Sequence, residues 1–199
     1  MIKVNVFVLM GIFLFINYGC FRDQVKKESN EVSSCVDPFI GSEKGNIFPG
    51  ACLPFGMVKL GPDVVPPNVT NGYRDDRDIA GFSHNHTSGT GGGPRYGNIM
   101  VIPQAGKVDL KEYVSLKKVN EFAAPGYYRV RLARQPGDVE CEITATHKTG
   151  FHKYRFFTWG GEEKFQANIL IDVSHTNTRG GSANTRCLSA EAEDRKSVV

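Results

Sequence analysis

Two histidines two residues apart, His84 and His86, are the sharpest chemical signal in the chain. They stand in the run Ile79-Ala80-Gly81-Phe82-Ser83-His84-Asn85-His86-Thr87-Ser88-Gly89-Thr90-Gly91-Gly92. On an extended strand that spacing turns both imidazoles to one face, one way to seat two ligands on a metal or two polar contacts on a substrate. A metal needs further ligands and a supporting shell, and no third histidine or carboxylate lies at a suitable local spacing. Polar substrate contacts or structural hydrogen bonds are therefore the preferred reading of the pair, ahead of a metal-dependent hydrolase. The glycines from Gly89 to Gly93 lack the Lys-Ser/Thr of a phosphate loop and the strand and acidic residue of a dinucleotide site, which excludes nucleotide binding. No Gly-x-Ser-x-Gly elbow occurs, and nothing local assembles a Ser-His-Asp or Cys-His site.

Three further clusters precede the histidines. Val36-Asp37-Pro38-Phe39-Ile40-Gly41 runs on to Gly45-Asn46-Ile47-Phe48-Pro49-Gly50-Ala51. Leu53-Pro54-Phe55-Gly56-Met57-Val58-Lys59-Leu60-Gly61-Pro62-Asp63 follows, and then Asn71-Gly72-Tyr73-Arg74. Proline fixes φ and glycine permits positive φ, so the first two clusters read as rigid, shaped loops of the kind that carry binding groups. Phe39, Phe48 and Phe55 could lay apolar faces against a sugar ring, with Asp37, Asn46 and Asp63 as hydrogen-bonding groups. The plainer alternative makes these phenylalanines core residues.

The elements that must position these residues read as strands. Tyr128-Arg129-Val130-Arg131-Leu132 alternates, Val139, Cys141, Ile143 and Ala145 repeat the pattern, and Phe165, Ala167, Ile169, Ile171 and Val173 give a third apolar stripe. Ile99 to Ile102 is a shorter apolar run, and the stretch from Leu110 to Phe122 is weakly helical. Turn signals fall at Pro136-Gly137-Asp138, Lys148-Thr149-Gly150 and Gly160-Gly161. With 22 glycines and 10 prolines in 199 residues, the composition fits many short elements. The fold class expected is all-β, an antiparallel, supersandwich-like β-sandwich following an N-terminal signal segment. A net charge of +3 spread over 24 basic and 21 acidic residues leaves no electrostatic footprint for nucleic acid.

Residues 1–19 read as a lipoprotein-type signal: Lys3, then an apolar run from Val6 to Ile16 too short to span a bilayer, then Gly19-Cys20. Cys20 is the expected lipidation site, and the charged residues 20–34 the expected flexible tether. An ordinary secretory signal is the alternative. Cys35, Cys52, Cys141 and Cys187 then allow three disulfide pairings, among which the sequence does not choose; Cys141, alternating within a strand pattern, reads as a small buried hydrophobe. The globular domain is expected over 35–190. Residues 191–199 end no recognisable element and read as a non-native tail, with the natural protein expected to continue.

The ordered clusters together resemble the N-terminal domain of glycoside hydrolase family 92, the exo-acting α-mannosidases. Ala124-Pro125-Gly126-Tyr127-Tyr128, Glu142-Ile143-Thr144-Ala145-Thr146, Gly150-Phe151-His152-Lys153-Tyr154 and Ile169-Leu170-Ile171-Asp172 extend the match, which covers roughly Val36 to His175. The resemblance implies a β-sandwich followed by a much longer (α/α)6 barrel, with an active site between them that uses calcium and inverts the anomeric centre. Both catalytic carboxylates of the family lie in the barrel, so no catalytic residue is assigned in this chain. The resemblance makes Asp37, Phe39 and Gly41, together with His84, His86, Ser88 and Gly89, the expected sugar-contacting residues. Family members specific for α-1,2 linkages carry a tryptophan shortly before Gly-Tyr; Asn71-Gly72-Tyr73 has none, and Trp159 is the single tryptophan. The implied partners are mannose-containing glycans and the barrel, in the periplasm or at the cell surface, with the membrane touched only through a lipid anchor. The competing expectation is a non-catalytic carbohydrate-binding lipoprotein domain.

Overall fold

The computed structural model describes residues 31–45, 47–66, 71–87, 96–110, 114–159 and 164–177. The expectations placed on Cys20, Asn46, Ser88, Gly89, Cys187 and the tail lie outside the described residues. The chain divides into two units at Val36/Asp37. In the first, Glu31–Ser34 form one helical turn, α1. The second unit is a pair of antiparallel sheets, so the all-β sandwich expected from strand alternation is what forms.

The first sheet has five strands in the order β1-β2-β3-β4-β9: Ala51–Cys52, Lys59–Val64, Ile79–Ser83, Met100–Ala105 and Ala167–Asp172. The second is the meander β5-β6-β7-β8: Lys117–Ala124, Tyr127–Ala133, Gly137–Ala145 and Gly150–Thr158. β7 is the strand that meets β1, β2 and β4 across the sandwich. The core between the sheets takes Leu60, Phe82, Met100 and Ile102 from one side and Tyr128, Val130, Leu132, Val139, Cys141 and Ile143 from the other. Each fully buried large side chain contributes roughly 1.5–3 kcal/mol of transfer free energy. Burial also pushes the Cys141 thiol well above its ordinary range, as suits an inert core residue.

Three expectations need correction. The end of the second cluster, read as a shaped loop, is in strand β2, Lys59–Val64, of the first sheet; its neighbour β3, Ile79–Ser83, is buried throughout. Pro62 is tolerated in β2 because β1 pairs only with Lys59 and Leu60, leaving that side of the strand free further on. The end of the weakly helical stretch, Lys117 to Phe122, is instead part of β5, where pairing with β6 overrides a local preference. On β9 the alternation holds but its phase is reversed. Ile169, Ile171 and Val173 are exposed, while Leu170 packs against the core.

Candidate functional site

Two side-chain networks and one cleft surround β2 and the segment after β3. β3 ends at Ser83, and Asn85 makes an isolated parallel bridge to Lys59, so the chain leaves strand geometry just where the histidines lie. The expected shared face is therefore lost. His84 reaches His152 on β8, whereas His86 reaches Asp63 on β2.

The His84 network lies against the inter-sheet core. His84 Nδ1 is 2.9 Å from the carbonyl oxygen of Ile99, His84 Nε2 is 3.0 Å from His152 Nε2, and His152 Nδ1 is 2.8 Å from the Tyr154 hydroxyl. A carbonyl only accepts, which assigns the protons of the neutral chain. His84 Nδ1–H donates to Ile99, His152 Nε2–H donates to His84, and Tyr154 O–H donates to His152. Burial, and after it the adjacent His84, pulls His152 down to about 4, so it stays neutral at ordinary pH. Burial likewise drives the Tyr154 phenol well above its usual range.

The His86 network is buried under the loops. His86 stacks on Phe48 with ring centroids 4.3 Å apart. Its Nδ1 lies 2.9 Å from the Lys59 carbonyl oxygen and its Nε2 2.8 Å from Asp63 Oδ1. Asn177 Nδ2 donates to the same carboxylate oxygen at 2.8 Å, and His175 Nε2 stands 3.5 Å from Asp63 Oδ2. Burial alone would raise the Asp63 pKa, but His86 and His175 outweigh it and hold the carboxyl well below the usual range. His175 is pushed the other way: burial opposes its charge, yet the bond to Asp63 raises it above the ordinary imidazole value. Two glycines are dictated by this knot. A Cβ on Gly72 would stand 2.3 Å from Asp63 Oδ1, and one on Gly97 2.3 Å from Asn177 Nδ2, both at positive φ.

The cleft, about 520 Å³, runs between the Asp37 loop and β5. Asp37, Phe39, Gly41 and Glu43 line one side, Tyr73, Asp75 and Glu121 the other. Asp37 Oδ1 accepts the Phe39 N–H at 2.9 Å, and successive turns carry the loop to Gly45, whose carbonyl accepts the Asn71 N–H. Glu121 is turned toward the cleft by an irregularity of β5, where the register slips between Val119 and Phe122. Its Oε1 accepts both Tyr73 and Tyr128 hydroxyls, at 2.8 and 2.5 Å, and Lys118 Nζ stands 3.1 Å from Oε2. Burial first, and Glu121 next, raise both phenols far above their ordinary range, so both act as donors.

Of the expected sugar-contacting residues, the structure thus brings Asp37, Phe39 and Gly41 together in one cleft. It places His84 and His86 in two other networks, with both ring nitrogens of each engaged. Phe48 is core, Phe55 is 99% exposed, and Phe39 is half-buried against the inter-sheet core. Asp63, read from sequence as a group for a sugar, is fully buried in the His86 knot. Glu121, His152, His175 and Asn177 escaped the sequence reading. Asn177 lies 114 residues from its partner Asp63, so no local spacing signals the contact.

The glycosyl hydrolase family 92 N-terminal domain matches residues 35–197 of this chain. An uncharacterized secreted glycosidase of Arthroderma benhamiae is 31% identical over 156 residues, covering 72% of this chain and 20% of that protein. Among solved structures, the GH92 family glycosyl hydrolase ccman5 has a TM-score of 0.62 at 28% identity, over 74% of this chain and 21% of its own. The family GH92 inverting mannosidase BT2199 from Bacteroides thetaiotaomicron shares the fold, with a TM-score of 0.57 at 22% identity over 73% of this chain and 20% of its own. The chain spans about a fifth of the length of these relatives.

Proposed function

The chain belongs to glycosyl hydrolase family 92 through that family's N-terminal domain, and on that premise we propose that it is the N-terminal part of an exported α-mannosidase that releases mannose from glycans. One observation carries the reading: the family match spans the described sandwich, and three residues expected to face sugar line a single cleft of it. In that cleft the Asp37, Glu43 and Asp75 carboxylates would accept hydrogen bonds from sugar hydroxyls, and Phe39 would lie against an apolar ring face. Glu121 would act at one remove, because its donors Tyr73, Tyr128 and Lys118 already occupy it.

Inversion requires a general acid and a general base on opposite faces of the sugar. Neither is assigned to this chain, and both are expected in the remaining polypeptide of a family-length protein. Calcium enters through the resemblance, as an ion that would hold sugar hydroxyls. Among the described residues no group of three or more His, Cys, Asp or Glu side chains is arranged to hold a metal, so these residues do not fit the ion by themselves. Asp37 Oδ1 and Glu121 are already engaged with protein donors. Export fits the secreted relative, and Cys20 is the proposed lipid attachment point.

The test is the whole gene product incubated with α-linked mannan, the product anomer being followed by proton NMR. Release of β-mannose supports the proposal; a folded protein that releases no mannose overturns it. Mannan binding without release would favour the second reading, a non-catalytic carbohydrate-binding lipoprotein, for which the cleft lined by Asp37, Phe39 and Glu43 would supply the sugar contacts.

A further inference from the structure

We propose that Asp63 and His86 form a buried carboxylate–imidazolium pair that positions the loops covering β2, so that these loops keep their shape only while His86 carries two ring protons. The argument is one of donors and acceptors. His86 Nδ1 faces the Lys59 carbonyl at 2.9 Å and His86 Nε2 faces Asp63 Oδ1 at 2.8 Å. Neither a carbonyl nor an ionised carboxylate can donate, so each contact needs a hydrogen on the ring. A neutral imidazole has one; the imidazolium has two. Ser83 Oγ, 3.5 Å from Nε2, could point its hydrogen at the ring, but that would leave Nε2 and Asp63 Oδ1 facing each other at 2.8 Å with no hydrogen between them.

Asp63 is set up as the charged partner. Oδ1 accepts from Asn177 as well as from His86, and Oδ2 stands 3.5 Å from His175 Nε2, an ion-pair distance longer than the two bonds to Oδ1. Among the described residues the titratable groups at this knot are Asp63 from β2, His86 from the segment after β3, and His175 from the segment after β9, which in turn feels Asp172. Phe48 stacks on one face of the His86 ring.

Four separated segments converge on the pair. Asp63 belongs to β2, and its neighbour Val64 donates its N–H to Gly72 O at 2.7 Å, fixing the turn that leads to Tyr73. His86 N–H donates to Lys59 O at 3.1 Å, and Gly97 N–H donates to Asn85 O at 3.1 Å. Asn177 bonds Asp63 through its side chain and Tyr96 O through its backbone N–H. Neutralising either charge leaves the other buried without compensation, and the cost falls on the connections among these segments. Asp63 and His86 are therefore positioning residues. The importance of the loops for sugar rests on the function proposed above; the protonation of the pair does not.

The experiment is a long-range 1H–15N correlation spectrum of the histidine-labelled 199-residue chain at neutral pH. The expected result is hydrogens on both ring nitrogens of His86 in the wild type, and a single N–H in Asp63→Asn. Should Asp63→Asn fail to fold, the wild-type spectrum still decides, because a bare ring nitrogen on His86 in the folded chain overturns the pair. Positioning is read by amide exchange at one neutral pH in the wild type against Asp63→Asn, or against His86→Gln should the first not fold. Exchange at Gly72, Tyr73 and Gly97 should accelerate at least tenfold in the variant while β6 and β7 remain protected. Loop amides unchanged between wild type and variant would overturn the positioning role. Neither readout involves a glycan, so failure here and failure of the mannosidase proposal are separable.

Discussion

Between the sheets, Leu60, Phe82 and Met100 meet Tyr128, Val130 and Ile143 in an apolar core, the last three alternating with outward-facing residues along β6 and β7. Under the Asp37–Gly50 loop, a smaller cluster of Phe48, Val64 and Tyr73 surrounds the buried Asp63–His86 pair. One region is held by apolar area, which is non-directional and forgiving of small shifts. The other is held by a few directional bonds between remote residues, where one missing partner leaves a charge stranded. His84 and His86 show the divide within three residues, since the first serves the inter-sheet side and the second the loop side. A chain can thus carry one sheet scaffold and a separately constructed loop platform on it.

The largest effect should come from the smaller region. Asp63→Ala removes the acceptor of His86 and Asn177, and the carboxylate that faces His175, and should cost about 3–5 kcal/mol, the range for breaking a buried ion pair. Leu132→Ala in the inter-sheet core should cost about 3 kcal/mol through lost transfer energy and a residual cavity. Urea unfolding of both variants tests the contrast. An Asp63→Ala loss under about 1 kcal/mol would mean that the loop side is carried by Phe48 and Tyr73 instead.

The two regions should also titrate with opposite sign. His152, between the sheets, has its folded value lowered from 6.5 to about 4. As pH falls through that window the unfolded chain takes up a proton that the folded chain refuses, so its stabilisation is present above pH 6.5 and lost toward pH 4. His175, on the loop side, has a raised folded value, so its contribution is complete below 6.5 and is lost as pH rises past the folded value. Asp63, lowered, adds an acid loss only as pH falls below its unfolded value of 3.8. Urea midpoints measured across pH in the wild type, His152→Gln and His175→Gln should show the acid limb shrink in the first variant and the alkaline limb in the second. Identical profiles would refute the assignment.

A smaller loss is expected where the regions meet. Tyr73 of the loop cluster and Tyr128 of the inter-sheet core both donate to Glu121. Glu121→Gln keeps the shape but weakens these charge-assisted bonds, for a loss of about 1–2 kcal/mol in the same assay.

How far the sequence could be read follows the same division. Alternation at Val130, Leu132, Cys141 and Ile143 exposed β6 and β7 directly, because a half-buried strand writes its burial into every second residue. β2 and β3 were missed because Gly61, Pro62, Gly81 and the adjoining loop motifs suggest turns, whereas strands covered on both sides show no alternation. On β9 the stripe of Ile169 and Ile171 was legible but not its direction, since period tells which residues share a face and not which face is covered. The Asp37 loop announced itself through proline and glycine. Partners joined only by the fold, such as His84 with His152 or Asp63 with Asn177, leave no trace at short spacing.

Phe55 belongs to neither region and gives the smallest effect. It occupies the third position of the turn closed by Gly56 N–H donating to Leu53 O at 3.0 Å, with φ at 59° and the ring 99% exposed. A left-handed conformation costs a residue with a side chain about 1–2 kcal/mol, and among the described residues none buries the ring to offset it. Glycine would lose about 0.5–1 kcal/mol more backbone entropy on folding, so Phe55→Gly should stabilise by somewhat under about 1 kcal/mol. Strain kept at an exposed aromatic is the pattern of a residue retained for contact. The sugar-ring role first read into Phe55 then predicts that the same variant gains stability and loses mannan affinity in a titration of the 199-residue chain. A gain in stability with affinity unchanged would remove Phe55 from the glycan surface and leave the Asp37 cleft to account for it.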